Sequence, residues 1–178
     1  MKKNWILKKI QNYFFLKVEK KIFKCQLGAS GVKCSSKKFE GDKATPRGKW
    51  KIKSIYYRQD KILRSNFRNI SPLKLNQITK NCGWCDDIFS RYYNKYIKIN
   101  KNLPKNIKFE KLWREDDVYD IIVVISYNVS PIIKNKGSAI FIHCSFSDSR
   151  KTAGCIALKK RDLLFILKKI DNNTFIKI

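Results

Sequence analysis

The chain has 178 residues, 43% apolar and 13% aromatic, enough to bury a core without staples and too apolar for a disordered chain. Its 40 Lys and Arg against 14 Asp and Glu give a net charge of +26, which invites a polyanion partner. Yet no like-charge run exceeds three residues and no recognition-helix, RNP or zinc-finger pattern is present, so a dedicated nucleic-acid function is not read and weak, salt-sensitive association with polyanions is what charge alone implies.

No apolar run approaches the roughly 20 residues of a transmembrane helix. The start, Met1-Lys2-Lys3-Asn4-Trp5-Ile6-Leu7-Lys8-Lys9-Ile10, has a basic front, but Lys8-Lys9 cut its apolar run and no small-residue cleavage site follows, so there is no clear signal peptide. Residues 1–20 are an N-terminal extension or a strand; within them, 5–18 fit a strand pair or a short amphipathic helix. Lys21 to Leu27 alternates as a strand with Phe23, Cys25 and Leu27 inward. Thr45-Pro46-Arg47-Gly48 is a turn signal, and the strand Lys49 to Tyr57 follows it, with Trp50 and Ile52 on one face and Lys49, Lys51 and Lys53 on a wet one.

Residues 58–80 are basic and weakly periodic and read as loop with room for one strand. Cys82 to Asn102, rich in Trp, Tyr and Asn, reads as an irregular lid. Glu110 to Arg114 fits one helical turn. Tyr119 to Tyr127 is apolar on both faces in its middle and should be a central strand. Gly137 to Cys144 should pair near it, with Ala139, Phe141 and His143 on one face and Ser138, Ile140 and Ile142 on the other. Leu163 to Ile170 reads as a helix, Asp162 near its start and Lys168-Lys169 near its end. Asp171-Asn172-Asn173 ends it, and Thr174 to Ile178 is a last strand.

Two short stretches carry chemistry. His143, the only histidine, ends a strand, and after the polar loop Ser145 to Lys151 comes Thr152-Ala153-Gly154-Cys155. A thiol near its free pKa of about 8.5 is a weak nucleophile at neutral pH, and an imidazole within reach makes it a thiolate. Gly154 leaves room for a substrate carbonyl, and the N–H groups around Gly154 and Cys155 are candidate oxyanion donors. The imidazole needs an orienting acceptor, for which a backbone carbonyl near Cys144 or Ser145 is placed. Thr152 reads as structural to the turn. The six cysteines, at 25, 34, 82, 85, 144 and 155, match no small disulfide framework. Cys82-Gly83-Trp84-Cys85 lacks the further ligands that zinc requires, so no metal is read.

The pattern Gly137 to His143, a loop, then Thr152-Ala153-Gly154-Cys155-Ile156-Ala157-Leu158 resembles the signature of YkuD-type L,D-transpeptidase catalytic domains. Thr45 to Gly48, Gly83 to Asp87, Tyr93-Asn94, Leu112-Trp113-Arg114, Tyr119-Asp120 and Tyr127-Asn128 with Pro131 are similar to stretches of its short, single-domain bacterial branch, in the same order from about residue 22 onward. Ala153 stands where the wider family has a second histidine, Ala157 where it has Arg or Asn, and the His143-to-Cys155 separation is shorter.

The resemblance implies one mainly β domain over 1–178, a bent mixed sheet or β-sandwich with one or two short helices. It also implies a transpeptidase acting without a cofactor on peptidoglycan stem peptides through a Cys155 thioester, with His143 as base. Arg114 then faces a substrate carboxylate, and Trp84, Tyr93 and Thr152 border the substrate. Such chemistry belongs to the periplasm or cell envelope, which the missing signal peptide does not explain. An L,D-carboxypeptidase using the same pair, or a basic binding module with a degenerate site, are the alternatives.

Overall fold

The computed structural model describes residues 4–67, 74–146, 150–171 and 173–178. The described chain opens with β1 (Asn4–Ile10), β2 (Tyr13–Val18) and β3 (Lys21–Gln26), an antiparallel meander, so residues 5–18 contribute the strand pair and not the helix. Short β4 (Val32–Cys34) and β5 (Thr45–Arg47) pair in parallel, making Thr45 to Arg47 a strand end instead of a free turn. Then come β6 (Lys49–Tyr57), β7 (Lys74–Gln77), β8 (Cys82–Cys85), β9 (Tyr96–Lys98) and β10 (Phe109–Lys111). The chain ends with β11 (Ile121–Ile125), β12 (Phe141–Cys144), β13 (Ile156–Leu158), α1 (Lys160–Leu167) and β14 (Phe175–Lys177). No helix among the described residues is long and apolar enough to cross a membrane.

The main sheet runs β11-β12-β13-β3-β2-β1-β14-β6-β7, and β6 also pairs with β11. One edge of β6 takes β14 at Lys49–Lys51 and β7 at Ser54–Tyr57, while β11 takes the other edge, so eight strands close into a ring with β7 appended. Parallel pairs (β1–β14, β12–β13, β6–β7) sit among antiparallel ones, the mixed, bent, mainly β architecture that the resemblance implied. Closure follows from alternation: Trp5, Leu16, Cys25, Ile52, Val123, Ile142, Ile156 and Ile176 all point inward. Leu163, Ile166 and Leu167 of α1 join the same core. α1 begins at Lys160, with Asp162 in its first turn, and stops at Leu167, short of Ile170.

Every residue of β11 is buried, because it has a second neighbour. Its outer side, Ile122 and Val124, packs with Phe141, Trp84, Leu112 and Tyr119 under a three-stranded sheet, β10-β8-β9. This small sheet corrects two expectations. Cys82 to Asn102 holds two paired strands, β8 and β9, joined by the loop 86–95, and is not an irregular lid throughout; Glu110 lies on β10 and not on a helical turn. Strands this short are held by cross-strand pairing with distant segments, which local periodicity does not report.

Candidate active site

The cleft lies where the small sheet meets the rim of the ring. His143 is carried on β12, opposite Ile122 of β11 and Ala157 of β13, and alternation puts it beside Phe141 on the outer face. The ring is edge-on to Tyr119 at 5.3 Å. His143 is 3% exposed, and burial drives its pKa down to about 4, with the Arg114 cation adding a smaller push in the same direction. Its Nδ1 is 2.8 Å from the Cys144 carbonyl oxygen. A carbonyl only accepts, so Nδ1 holds the proton and Nε2 the lone pair.

Cys155 immediately precedes β13. Its thiol donates to the Ala139 carbonyl at 3.0 Å and accepts from the Phe141 N–H at 3.3 Å. Burial, reinforced by the Glu110 carboxylate, pushes its pKa up to about 12. Cys155 and His143 line one cleft of about 470 Å³, with no hydrogen bond between them. The resting pair is thus neutral thiol and neutral imidazole.

The partner of the thiol is delivered by an unusual backbone. Residues 137–140 are not the start of a strand: φ is +96° at Gly137 and +50° at Ala139, and β12 begins only at Phe141. The loop between β8 and β9 holds that segment. The Tyr93 hydroxyl accepts from the Gly137 N–H at 3.0 Å and donates to Glu40 at 2.5 Å, and Asn94 Oδ1 accepts from the Ala139 N–H at 3.1 Å. The indole N–H of Trp84 donates to the same Asn94 oxygen at 2.9 Å, and its ring meets Phe141 edge-on at 5.0 Å. Trp84 and Tyr93 therefore do not line the cleft, as the sequence reading expected; both are buried and brace its wall.

On the opposite wall, Thr152 Oγ1 donates to the Cys155 carbonyl at 2.7 Å and accepts from the Gly154 N–H at 3.1 Å. That bond removes Gly154 N–H from the expected pair of oxyanion donors. Gly154 has φ +139°, and a Cβ there would stand 3.0 Å from the Ala44 carbonyl oxygen. Gly28 is its neighbour: a Cβ on Gly28 would come within 2.3 Å of the Lys43 carbonyl oxygen and 3.0 Å of Gly154 Cα. Two glycines let the loops touch backbone to backbone. Ser145 faces away from the cleft; its N–H donates to the Leu158 carbonyl at 2.6 Å, and it lines a separate depression with Cys144 and Lys160. The rest of the loop, 147–149, lies outside the described residues.

Arg114 does line the cleft, but its guanidinium is forked onto Asp116, with Nε to Oδ1 at 2.9 Å. Its own carbonyl is held by Arg58 Nη1 at 2.6 Å, and Arg58 in turn stacks on Trp113 at 3.4 Å. Reading the residues missed the acids of the cleft. Glu40, Asp86 and Glu110 all line it; burial raises the pKa of Glu110 and of Asp86, and Asp86 Oδ1 is buried with no hydrogen-bond partner. Glu110 accepts from the Tyr119 hydroxyl at 2.5 Å. The alternation of β10 marks Glu110 only once that segment is known to be a strand. All six cysteines are free thiols, and no group of three or more His, Cys, Asp or Glu among the described residues could hold a metal ion.

No curated protein matches the chain. The family model of the YkuD L,D-transpeptidase catalytic domain matches residues 9–178, from inside β1 to the last residue, and the chain belongs to that family.

Proposed function

We infer that Cys155 is the nucleophile and His143 its base in acyl transfer on peptidoglycan stem peptides, the family chemistry placed on this chain's own residues. The observation that supports this reading most directly is that the only histidine and the Gly154-linked thiol open into one cleft. The thiol leaves the Ala139 carbonyl and passes its proton to His143 Nε2. Sulfur then bonds to the carbonyl carbon preceding a terminal D-amino acid. The carbon–nitrogen bond breaks, the departing amine takes the proton from the imidazolium, and a Cys155 thioester remains. An acceptor amine attacks that thioester, gives a proton back to Nε2 and regenerates the thiol. Of the two backbone donors expected for the oxyanion, the Cys155 N–H remains.

The cleft carries both signs of charge. Arg114, with Lys43 and Lys151, offers cations to the stem carboxylate, and Asp86 and Glu110 offer partly desolvated carboxyls to an acceptor ammonium. That second feature favours an amine over water as acceptor, hence a transpeptidase over a carboxypeptidase. A degenerate site has one observation in its favour, the thiol bonded to Ala139 and not to the imidazole.

Intact-mass detection of an acyl adduct on Cys155 after exposure to a stem tetrapeptide or a carbapenem tests the reading, with Cys155→Ala as the control. The expected result is one adduct in the native chain and none in the variant. Product analysis with and without an added amine then separates cross-linking from hydrolysis. Absence of any adduct on a folded chain rejects the enzyme.

A further inference from the structure

The ring leaves one face of its sheet uncovered, on strands that carry none of the cleft. Register fixes which side chains are neighbours there. One row reads Ile22, Lys17, Ile6, Lys177 and Lys49 across β3, β2, β1, β14 and β6. The next reads Lys24, Phe15 and Lys8, and a third pairs Ile10 with Tyr13. Isoleucine and lysine alternate as on a checkerboard. Ile22 is 52% exposed, Tyr13 51% and Ile10 44%, and Lys24 Nζ sits 3.8 Å over the Tyr13 ring. These rows hold no carboxylate; Glu19, at the β2–β3 turn, is paired with Lys169. At the margin of the face a depression of about 560 Å³ opens between Ile6, Arg47, Lys49 and Lys177.

We propose that this face docks on an anionic lipid bilayer, its isoleucines and Tyr13 entering the headgroup–acyl boundary and its lysines lying against lipid phosphates. Lysine suits that arrangement because its stem packs on apolar surface while its ammonium stays wet. Aliphatic tips gain by burial in lipid and gain nothing on a hydrated nucleic acid. A second copy of the chain is excluded by charge, since face-to-face docking would set lysine rows against lysine rows. Arg47, Lys49 and Lys177 line the depression beside Ile178 and offer cations to a lipid phosphate. The cleft, where Glu40, Asp86 and Glu110 stand among Lys43, Arg114 and Lys151, opens elsewhere than on the surface that the lysine rows hold.

Flotation of the full chain with phosphatidylcholine vesicles and with equimolar phosphatidylcholine–phosphatidylglycerol vesicles tests this. Binding is expected only to the second. Lys8→Glu with Lys24→Glu should weaken partitioning by about 30-fold or more, at about fivefold per lysine lost with reversal adding to it. Ile10→Thr with Ile22→Thr, which keeps β-branched residues in the strands, should weaken it without changing the net charge. The matched control is Lys98→Glu with Lys111→Glu, exposed lysines of the small sheet, which should retain most binding. The proposal is overturned if the native chain ignores anionic vesicles, if both charge-reversed pairs lose binding equally, if the isoleucine pair binds like the native chain, or if the face variants lose affinity for a duplex oligonucleotide in place of vesicles.

Discussion

The thiol of Cys155 donates to the carbonyl of Ala139, 3.0 Å away, a residue whose φ of +50° bends the chain toward it. Resting Cys155 is consequently a capped thiol, and burial pushes its pKa up to about 12. Its thiolate fraction near neutral pH should be on the order of a thousandfold below that of a free cysteine. Cys34 is the opposite case: exposed, with its pKa lowered by a hydrogen bond to Ser36. Iodoacetamide should therefore modify Cys34 first and Cys155 last, as peptide mapping at increasing times will report. Rapid labelling of Cys155 in the free chain would contradict the capped geometry. Slow labelling does not argue against catalysis, because substrate entering the cleft can displace the Ala139 bond.

His143 should titrate near pH 4, and since it is the only histidine, its imidazole signals in an NMR titration need no assignment. The sign for stability follows from the depressed value. Above about 6.5 the imidazole is neutral folded and unfolded. As pH falls from 6.5 toward 4 the unfolded chain takes up a proton that the folded chain refuses, so stability drops across that window. Urea midpoints measured through it should show the loss, and His143→Gln should flatten this contribution. An imidazole titrating near 6.5 would mean that the ring is solvated.

Asn94 links the β8–β9 hairpin to the thiol: its side-chain oxygen takes both the Trp84 indole N–H and the Ala139 N–H, and its amide donates to the Asn128 carbonyl at 2.6 Å. Asn94→Ala leaves buried donors unpaired and should cost about 1–3 kcal/mol. It should also release Ala139, so that labelling of Cys155 accelerates in the folded variant. Calorimetry and the alkylation rate measure the two effects separately. A destabilised variant whose Cys155 is no more reactive would break the proposed link.

Gly154→Ala combines a backbone at φ +139° with a Cβ 3.0 Å from the Ala44 carbonyl oxygen and 3.1 Å from Ile140 Cδ1. A destabilisation of about 2–3 kcal/mol is expected, read as a lowered denaturation midpoint. Gly31→Ala is the comparison, since Gly31 has a positive φ but nothing within 4 Å of its Cβ, and it should cost less.

Legibility from sequence tracked how local the cause was. β11 announced itself through Ile121 to Ile125, β6 through lysines alternating with Trp50 and Ile52, and α1 through its apolar run after Asp162; each is decided within one element. Cys155 and His143 stood out because His143 is the only histidine, Cys155 follows Gly154, and both fall in stretches that resemble the YkuD signature. What was hidden depends on distant partners. Glu110 reaches the cleft because β10 pairs with β8, Ala139 is bent because Asn94 holds its N–H, and Gly154 N–H is consumed by Thr152. Trp84 and Tyr93 were recognised as belonging to the site but given the wrong partner, since an aromatic with a polar tip can face substrate or another loop equally well by composition.

Closing the ring joins β1 to β14, residues 4–6 against 175–177. During synthesis the meander of β1, β2 and β3 can form early, but its outer edge stays open until β14 has been made. Until then β1 presents unpaired backbone groups flanked by lysines, a known brake on edge-to-edge aggregation. The lysine-rich face thus has a second use, keeping the nascent chain apart from its copies until β14 arrives.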